Sequence, residues 1–325
     1  MSSEHRPLAL VAPPTTPGFR RMFATGKLSL GLFFPIAAYR GEEPPLEDQA
    51  ELARAADEGG FAALWTRDVP LRDREFNDLG QVLDPWVWMT YILPYVKQAS
   101  LATGSLILPL RHPVHTAKAA TSLDYLSGGR LVMGLASGDR PAEFPAFAVD
   151  HGHRGELFRD SFEYLQKLVS ETYPMVDSPL GRLSGADLVP KAGHGRLPLG
   201  MTGGCQQSPD WLARHGDFSL TISRPPEQQA RYMAQWRQSV AESGCSFEKP
   251  VAQSLYLDLA EDPDESPKPI HLGYRLGRNW LIELLGALEQ IRVGHVAFML
   301  RYSRRPVAEV VDELVRHVVP RFPCC

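Results

Sequence analysis

From Leu28 onward, short continuous apolar runs alternate with longer segments of helical periodicity. "LSLGLFFPI" (28–36) shows no polar alternation, the pattern of a strand covered on both faces. "LEDQAELARAADEGG" (46–60) follows with helix formers and a Gly59-Gly60 stop. "FAALWT" (61–66) and "SLATGSLILP" (100–109) read as strands two and three, with the helical "DPWVWMTYILPYVKQ" (84–98) between them. "HPVHTAKAATSLDYLSGG" (112–129) is a helix with Pro113 near its start and Gly128 at its end. "RLVMGLA" (130–136) is strand four. The next helix (154–171) sets Phe158, Phe162, Leu165 and Leu168 on one face. "LPLGMTG" (197–203) and "FSLTI" (218–222) are strands five and six, separated by "SPDWLARHG". A helix carrying Met233, Trp236 and Val240 leads to strand seven (251–260). A helix around "NWLIELLGALEQI" leads to strand eight (295–300), and the last helix carries Val307, Val310, Val311, Leu314, Val315 and Val318.

Eight strand–helix alternations predict an α/β chain, a (β/α)8 TIM-like barrel with insertions after strand 4 and strand 7. The first insertion, 172–196, is rich in Gly and Pro. The second, "EDPDESPKPI" (261–270), follows strand seven and so falls on the C-terminal face, either as a cover for a site or as a surface loop. Residues 1–26, short and broken by proline, are expected to form a surface arm, and 27–323 the barrel domain.

Composition changes this picture little. A chain of 325 residues, 44% hydrophobic, can fill one large domain or two small ones. A formal charge of −4 provides no field for nucleic acid, and no apolar run approaches the roughly 18 residues of a membrane span. Cys205, Cys245, Cys324 and Cys325 form no C-x-x-C, so a reducing, cytoplasmic setting is expected.

In a barrel, ligands meet the C-terminal strand ends. Those ends carry Phe33, Phe34 and Pro35; Trp65, Arg67 and Asp68; Pro109, Arg111 and His112; then Ser137, Gly138, Asp139 and Arg140. In "MTGGCQQSPDW", Ser208 suits an N-cap and Pro209 the first helical position, behind a Gly203-Gly204 turn. That arrangement is either an anion site or a plain capped helix. There is no G-x-G-x-x-G, no phosphate-loop lysine motif and no G-x-S-x-G elbow. The pairs His112/His115 and His151/His153 lack a carboxylate at ligand spacing, so no metal is expected.

"GFAALWTRD", "LATGSLILPLRHPVHTAKAATSLDYLSGGRLVMGLASGDRPAEFPAF" and "TGGCQQSPDWLARHGD" resemble the bacterial luciferase-like family of flavin-dependent monooxygenases. The resemblance implies a TIM-like barrel that takes reduced FMN as co-substrate to activate oxygen, with F420 the carrier in another branch. It implies a separate NAD(P)H flavin reductase, a small organic substrate and a homodimer. It places Thr103, Gly104 and Ser105 beneath the flavin ring, with a non-proline cis peptide at Gly104-Ser105. Ser137, Gly138 and Arg140 would line the ribityl–phosphate path. Arg154, Thr202, Gly203, Gly204, Cys205, Gln207 and Ser208 would hold the phosphate. Phe33, Phe34, Trp65, Trp86 and Phe144 would exclude water. The paired histidines that luciferases carry after strand two are replaced here by Val69 and Pro70, which implies no light emission from aldehyde. Asp68, Arg111 and His112 remain as catalytic candidates, Asp68 also as a structural carboxylate paired to Arg67 or Arg72.

Overall fold

A computed structural model describes residues 12–36, 48–73, 75 and 83–324. Its strands in chain order are β1 (Ser29–Phe33), β2 (Ala63–Thr66), β3 (Ser100–Ile107), β4 (Leu131–Ala136), β5 (Val176–Ser178), β6 (Gly181–Leu183), β7 (Leu199–Thr202), β8 (Phe218–Ile222), β9 (Val251–Leu259), β10 (Lys268–Ile270), β11 (Gly273–Leu276) and β12 (His295–Met299). Eight of them pair in parallel in the order β1-β2-β3-β4-β7-β8-β9-β12, and β12 returns to β1, so the sheet is closed. This is the (β/α)8 architecture the apolar alternation predicts. The 172–196 insertion contains the antiparallel β5–β6 hairpin.

The helices are α1 (Pro17–Met22), α2 (Gln49–Glu58), α3 (Pro85–Ile92), α4 (Pro113–Ser127), α5 (Arg154–Ser170), α6 (Pro209–His215), α7 (Pro226–Glu242), α8 (Arg278–Gln290) and α9 (Val307–Glu313). α3 stops six residues short of the end predicted from its pattern; Leu93 is still helical (φ −54°, ψ −37°), but Pro94 has no N–H to continue the hydrogen-bond ladder. The start of the predicted 46–60 helix lies outside the described residues; α2 accounts for its remainder. Among the described residues no helix is long and apolar enough to cross a membrane.

Residues 12–26 depart from the expectation of a surface arm. Thr16 caps α1 by accepting from the Phe19 N–H, and Phe19 and Met22 are buried. Together with Phe23 they plug the N-terminal end of the barrel against Phe218 and His295, with ring centroids 5.2 Å (Phe23–Phe218) and 6.3 Å (Phe23–His295) apart. Gly18 lets the helix lie on the chain after α4: an added Cβ would sit 2.7 Å from the Arg130 carbonyl oxygen.

Above the plug the barrel is filled by Phe33, Ala63, Trp65, Ala102, Val132, Leu220, Ala252, Tyr256, Ala297 and Met299, the inward positions of alternate residues. One polar chain crosses this interior. The Trp65 indole N–H donates to His295 Nε2 at 2.9 Å. His295 Nδ1 meets the Ser29 hydroxyl at 2.7 Å, and that hydroxyl donates to the Met22 carbonyl at 2.6 Å. These bonds fix the proton on Nδ1. Trp65 on β2 reaches His295 on β12 only because Gly31 on the intervening β1 has no side chain: a Cβ there would stand 2.6 Å from His295 Nε2 and 2.9 Å from Trp65 Nε1. Complete burial pushes the His295 pKa down to about 3.

The second insertion is built onto the mouth. β8 ends against Ser254, and β11 takes its place beside β9 from Tyr256 to Leu259. Ile270 and Leu272, on the β10–β11 turn, pack with Tyr302 against the interior cluster, so the segment after strand seven does cover the C-terminal end.

Candidate active site

The mouth is organised around an irregular β3. The peptide Gly104-Ser105 is cis, as the resemblance implies, and the β3–β4 register shifts between Thr103 and Leu106. Gly104 lies over Phe33 and Trp65; an added Cβ would be 2.9 Å from Phe33 Cζ. The Thr103 hydroxyl donates to the Gly134 carbonyl at 2.9 Å. Gly134 repeats on β4 what Gly31 does on β1. With no side chain between them, Ser105 of β3 and Thr202 of β7 meet hydroxyl to hydroxyl.

After β7 the backbone turns through positive φ at Gly203 (58°), Cys205 (45°) and Gln206 (58°) before Ser208 caps α6, accepting from the Trp211 N–H at 3.2 Å. No atom lies within 4 Å of an added Cβ at Gly203 or Gly204, so this turn opens onto free space. Gln207 clamps it to α5: its amide donates to the Gly155 carbonyl at 2.7 Å, and its Oε1 accepts from Arg159 Nη2 at 2.7 Å. Gly155 is itself in contact with Gln206, which brings the neighbouring Arg154 to the loop across 50 residues of sequence. Arg154 Nη1 donates to the His151 carbonyl, but its buried Nε has no hydrogen-bond partner. A glycine turn open to space beside an arginine with an unsatisfied donor fits a phosphate group. Cys205 contributes packing: buried, its thiol donates to the Thr202 carbonyl at 3.1 Å, and burial pushes its pKa up to about 12.

The turn after β4 carries Ser137, buried, and Gly138 at φ 89°. Gly138 is required by packing: an added Cβ would stand 2.7 Å from Phe144 Cζ and 3.0 Å from Ile107 Cγ2. Arg140 is 5% exposed. Burial and the neighbouring charge of Arg67 hold its pKa down to about 10, while Glu143, Tyr256 and Asp73 pull the other way. Glu143 is buried beside it, and burial pushes its carboxyl above the ordinary range against the charge of Arg140.

The three catalytic candidates are held by contacts within the protein. Asp68 accepts from Arg111 Nη2 at 2.6 Å, from Arg111 Nε at 2.8 Å and from the Ile107 N–H at 3.1 Å. Burial opposes the Arg111 charge, but Asp68 and Asp84 more than reverse it and raise its pKa. Two candidates are therefore one ion pair bracing the ends of β2 and β3. His112 caps α4, accepting from the Val114 N–H through Nδ1, and faces an outer crevice of about 500 Å³ shared with Trp86, His115 and Lys118. Of the proposed dry wall, Phe33 and Trp65 face the interior. Phe34 instead stacks on Trp88 in the outer core, and Trp86 lines the outer crevice. Glu143 and Tyr256, which sequence reasoning passed over, lie in this mouth. The "GDRPAEF" motif holds the signal for Glu143, three residues after Arg140. No group of three potential metal ligands occurs among the described residues.

Residues 28–283 match the family model described as luciferase-like monooxygenase. The chain is 25% identical to the alkanal monooxygenase alpha chain of Photorhabdus luminescens over 54% of its own length and 49% of that chain, about half the length of that relative. It is 25% identical to 4-hydroxyprotoasukamycin monooxygenase of Streptomyces nodosus subsp. asukaensis over 80% of this chain and 72% of that one. Among solved structures, a monooxygenase from Streptomyces bottropensis superposes with TM-score 0.76 (16% identity, 90% of this chain and 99% of that one). An F420-dependent secondary alcohol dehydrogenase in complex with an F420–acetone adduct gives 0.74 (17% identity, 91% and 99%). The oxygenating constituent of 3,6-diketocamphane monooxygenase from Pseudomonas putida, in complex with FMN, gives 0.73 (14% identity, 92% and 99%).

Proposed function

The chain belongs to the luciferase-like monooxygenase family, and on that premise we propose that it is a two-component flavin-dependent oxidoreductase using reduced FMN and oxygen to oxidise a small organic substrate in the barrel mouth. The observation that carries this reading is the open Gly203-Gly204 turn set beside the unsatisfied Nε of Arg154. Thr202, Gly203, Gly204, Cys205, Gln207, Ser208 and Arg154 would hold the flavin phosphate. Ser137, Gly138 and Arg140 would border the ribityl chain, and Thr103, Gly104 and Ser105 the ring. When bound, the reduced flavin supplies the electrons for oxygen activation. The chain's own part is to bind and to shield. Phe33 and Trp65 make the floor apolar, and the β10–β11 turn roofs one side. Asp68 and Arg111 brace the rim. Glu143 is the buried carboxyl of that rim, pushed above its ordinary range by burial.

Oxygen uptake with reduced FMN delivered by a separate NAD(P)H reductase tests the reading; saturable FMN binding without uptake on a broad substrate panel would overturn it. The F420-bound dehydrogenase of the same fold supports a second reading, hydride transfer to or from F420. Substrate-dependent F420 reduction in the absence of oxygen uptake would select it.

Ser208→Asp keeps the helix cap, since aspartate caps as well as serine, but sets a negative charge against the phosphate. FMN affinity should fall more than tenfold, about 1.4 kcal/mol. An unchanged titration curve would move the phosphate elsewhere.

Two copies are expected to associate. Val87, Tyr91 and Tyr95 stand exposed at helical spacing on α3 and the turn after it, beside Tyr125 and Leu126 of α4, which are 68% and 62% exposed. The 36.1 kDa chain should sediment at about twice its mass. Tyr91→Glu should return it to a monomer.

A further inference from the structure

Two buried nitrogens near the turn after β7 have no hydrogen-bond partner among the described residues, and the flavin site proposed above uses only one of them. The first is Nε of Arg154; the second is Nε2 of His151, three residues earlier. The two histidines of "DHGH" (150–153) differ in what holds them. Asp150 accepts from the Gly152 N–H at 2.9 Å and from His153 Nδ1 at 2.8 Å, so His153 is kept in an exposed pair. His151 packs instead on Phe144, edge to face, with 4.8 Å between centroids and 81° between planes. Phe144 is fully buried under the turn after β4, and it is the ring for which Gly138 leaves room.

His151 is also tied to the turn after β7. Its carbonyl accepts from Arg154 Nη1 at 2.9 Å, and Gly155 lies so near Gln206 that an added Cβ would stand 2.8 Å from Gln206 Cβ. β4 and β7 are neighbours in the barrel, so these contacts form one continuous bridge between the turns that follow them. Both unpartnered nitrogens stand on that bridge.

A buried donor without an acceptor is costly, and few persist in a folded protein without a reason. A buried water would need roughly two to four polar partners to answer even one of them. Two such nitrogens three residues apart share a simpler remedy, an anion with several oxygens. Burial and the charge of Arg154 hold the His151 imidazole below its ordinary pKa, against Asp150 and Asp139. A neutral ring with its proton on Nε2 donates beside Arg154 without burying a second positive charge.

We propose that His151 is a phosphate-binding residue of this enzyme, its Nε2–H donating to the flavin phosphate together with the Nε–H of Arg154. This rests on the flavin reading above and adds a residue by which the protein tells a phosphorylated flavin from its unphosphorylated form.

The test is anaerobic calorimetric titration of reduced FMN and reduced riboflavin, which differ only in the phosphate, into wild type, His151→Phe and His151→Gln. His151→Phe keeps a ring against Phe144 but has no donor. Its preference for FMN over riboflavin should fall at least about tenfold, the scale of a lost hydrogen bond to a charged group, while its riboflavin affinity stays at the wild-type value. His151→Gln, whose side-chain amide still offers an N–H, should fall less far. A smaller fall in His151→Phe overturns the proposal, as does an equal fall in the glutamine variant or a parallel loss of riboflavin affinity; each would leave His151 a packing residue. Should His151→Phe not fold, His151→Met, equally without a donor, is read in its place. Wild type that binds FMN no better than riboflavin would remove the phosphate site itself. Wild type that binds neither would overturn the flavin reading, whatever the variants do.

Discussion

Gly31→Ala is expected to remove about 2–6 kcal/mol of folding stability, the sum of about 1–3 for overpacking a filled interior and about 1–3 for stranding a buried polar group. The added methyl would occupy the space in which the Trp65 N–H meets His295 Nε2, and it would also stand 2.8 Å from the Ala63 carbonyl oxygen. None of these neighbours is the free end of a flexible chain, since Trp65 and His295 are both buried at 0% exposure. Domains of this kind are stable by about 5–15 kcal/mol, so such a loss should lower the urea midpoint severely or abolish soluble expression. The contrasting variant is Gly286→Ala. It lies within α8 with nothing within 4 Å of the new Cβ, and it should gain about 0.5–1 kcal/mol. A Gly31→Ala protein unfolding at the wild-type midpoint would show that the indole–imidazole bond does not hold the barrel.

The same histidine should make the fold labile to acid. Its folded pKa of about 3 lies below the ordinary value of 6.5, so the unfolded chain takes up the proton more readily. The contribution of neutral His295 is full above pH 6.5 and is lost progressively as pH falls toward 3, by about 1.4 kcal/mol for each pH unit. His215, which burial and the charges of Lys249, Arg159 and Arg214 hold down to about 4, adds a loss of the same sign. Urea unfolding at a series of pH values between 6.5 and 4 measures the slope. His295→Gln sets a lower plateau but should remove one proton's worth of slope. Identical slopes in the two proteins would mean that the imidazole is protonated in the fold.

What the chain disclosed before its structure was local. Apolar runs such as 130–136 and turn residues such as Gly203, Gly204 and Ser208 specify strands and a capped turn from neighbours a few residues away, and these are where the structure has them. Contacts made at long range were hidden. Asp68 and Arg111 meet across 43 residues, and Trp65 and His295 across 230. The carboxylate after strand two therefore reads as a base or as a structural partner of Arg67 or Arg72, when the arginine that brackets it is Arg111. Tyr256 sits in a strand buried on both faces, with polar residues on each (Gln253; Ser254 and Asp258), so periodicity cannot tell the inward face from the outward one. α1, with six residues and flanking prolines, is too short to show a helical period, so its buried face passed for an arm.

That plug sets an order on events during synthesis. α1 finds Ser100, Gly129 and Arg130 about a hundred residues on, but Leu28 and Ser29 dock against residues made near the other end of the message. Leu28 donates its N–H to Glu289 Oε1 across 261 residues, and Ser29 waits for His295 across 266. At roughly 5–20 residues per second, the delay is roughly ten to fifty seconds. Throughout it, the end of the barrel that Phe19, Met22 and Phe23 plug lacks β12 and the His295 ring against Phe23. Ring closure at β1 therefore waits on the last strand made.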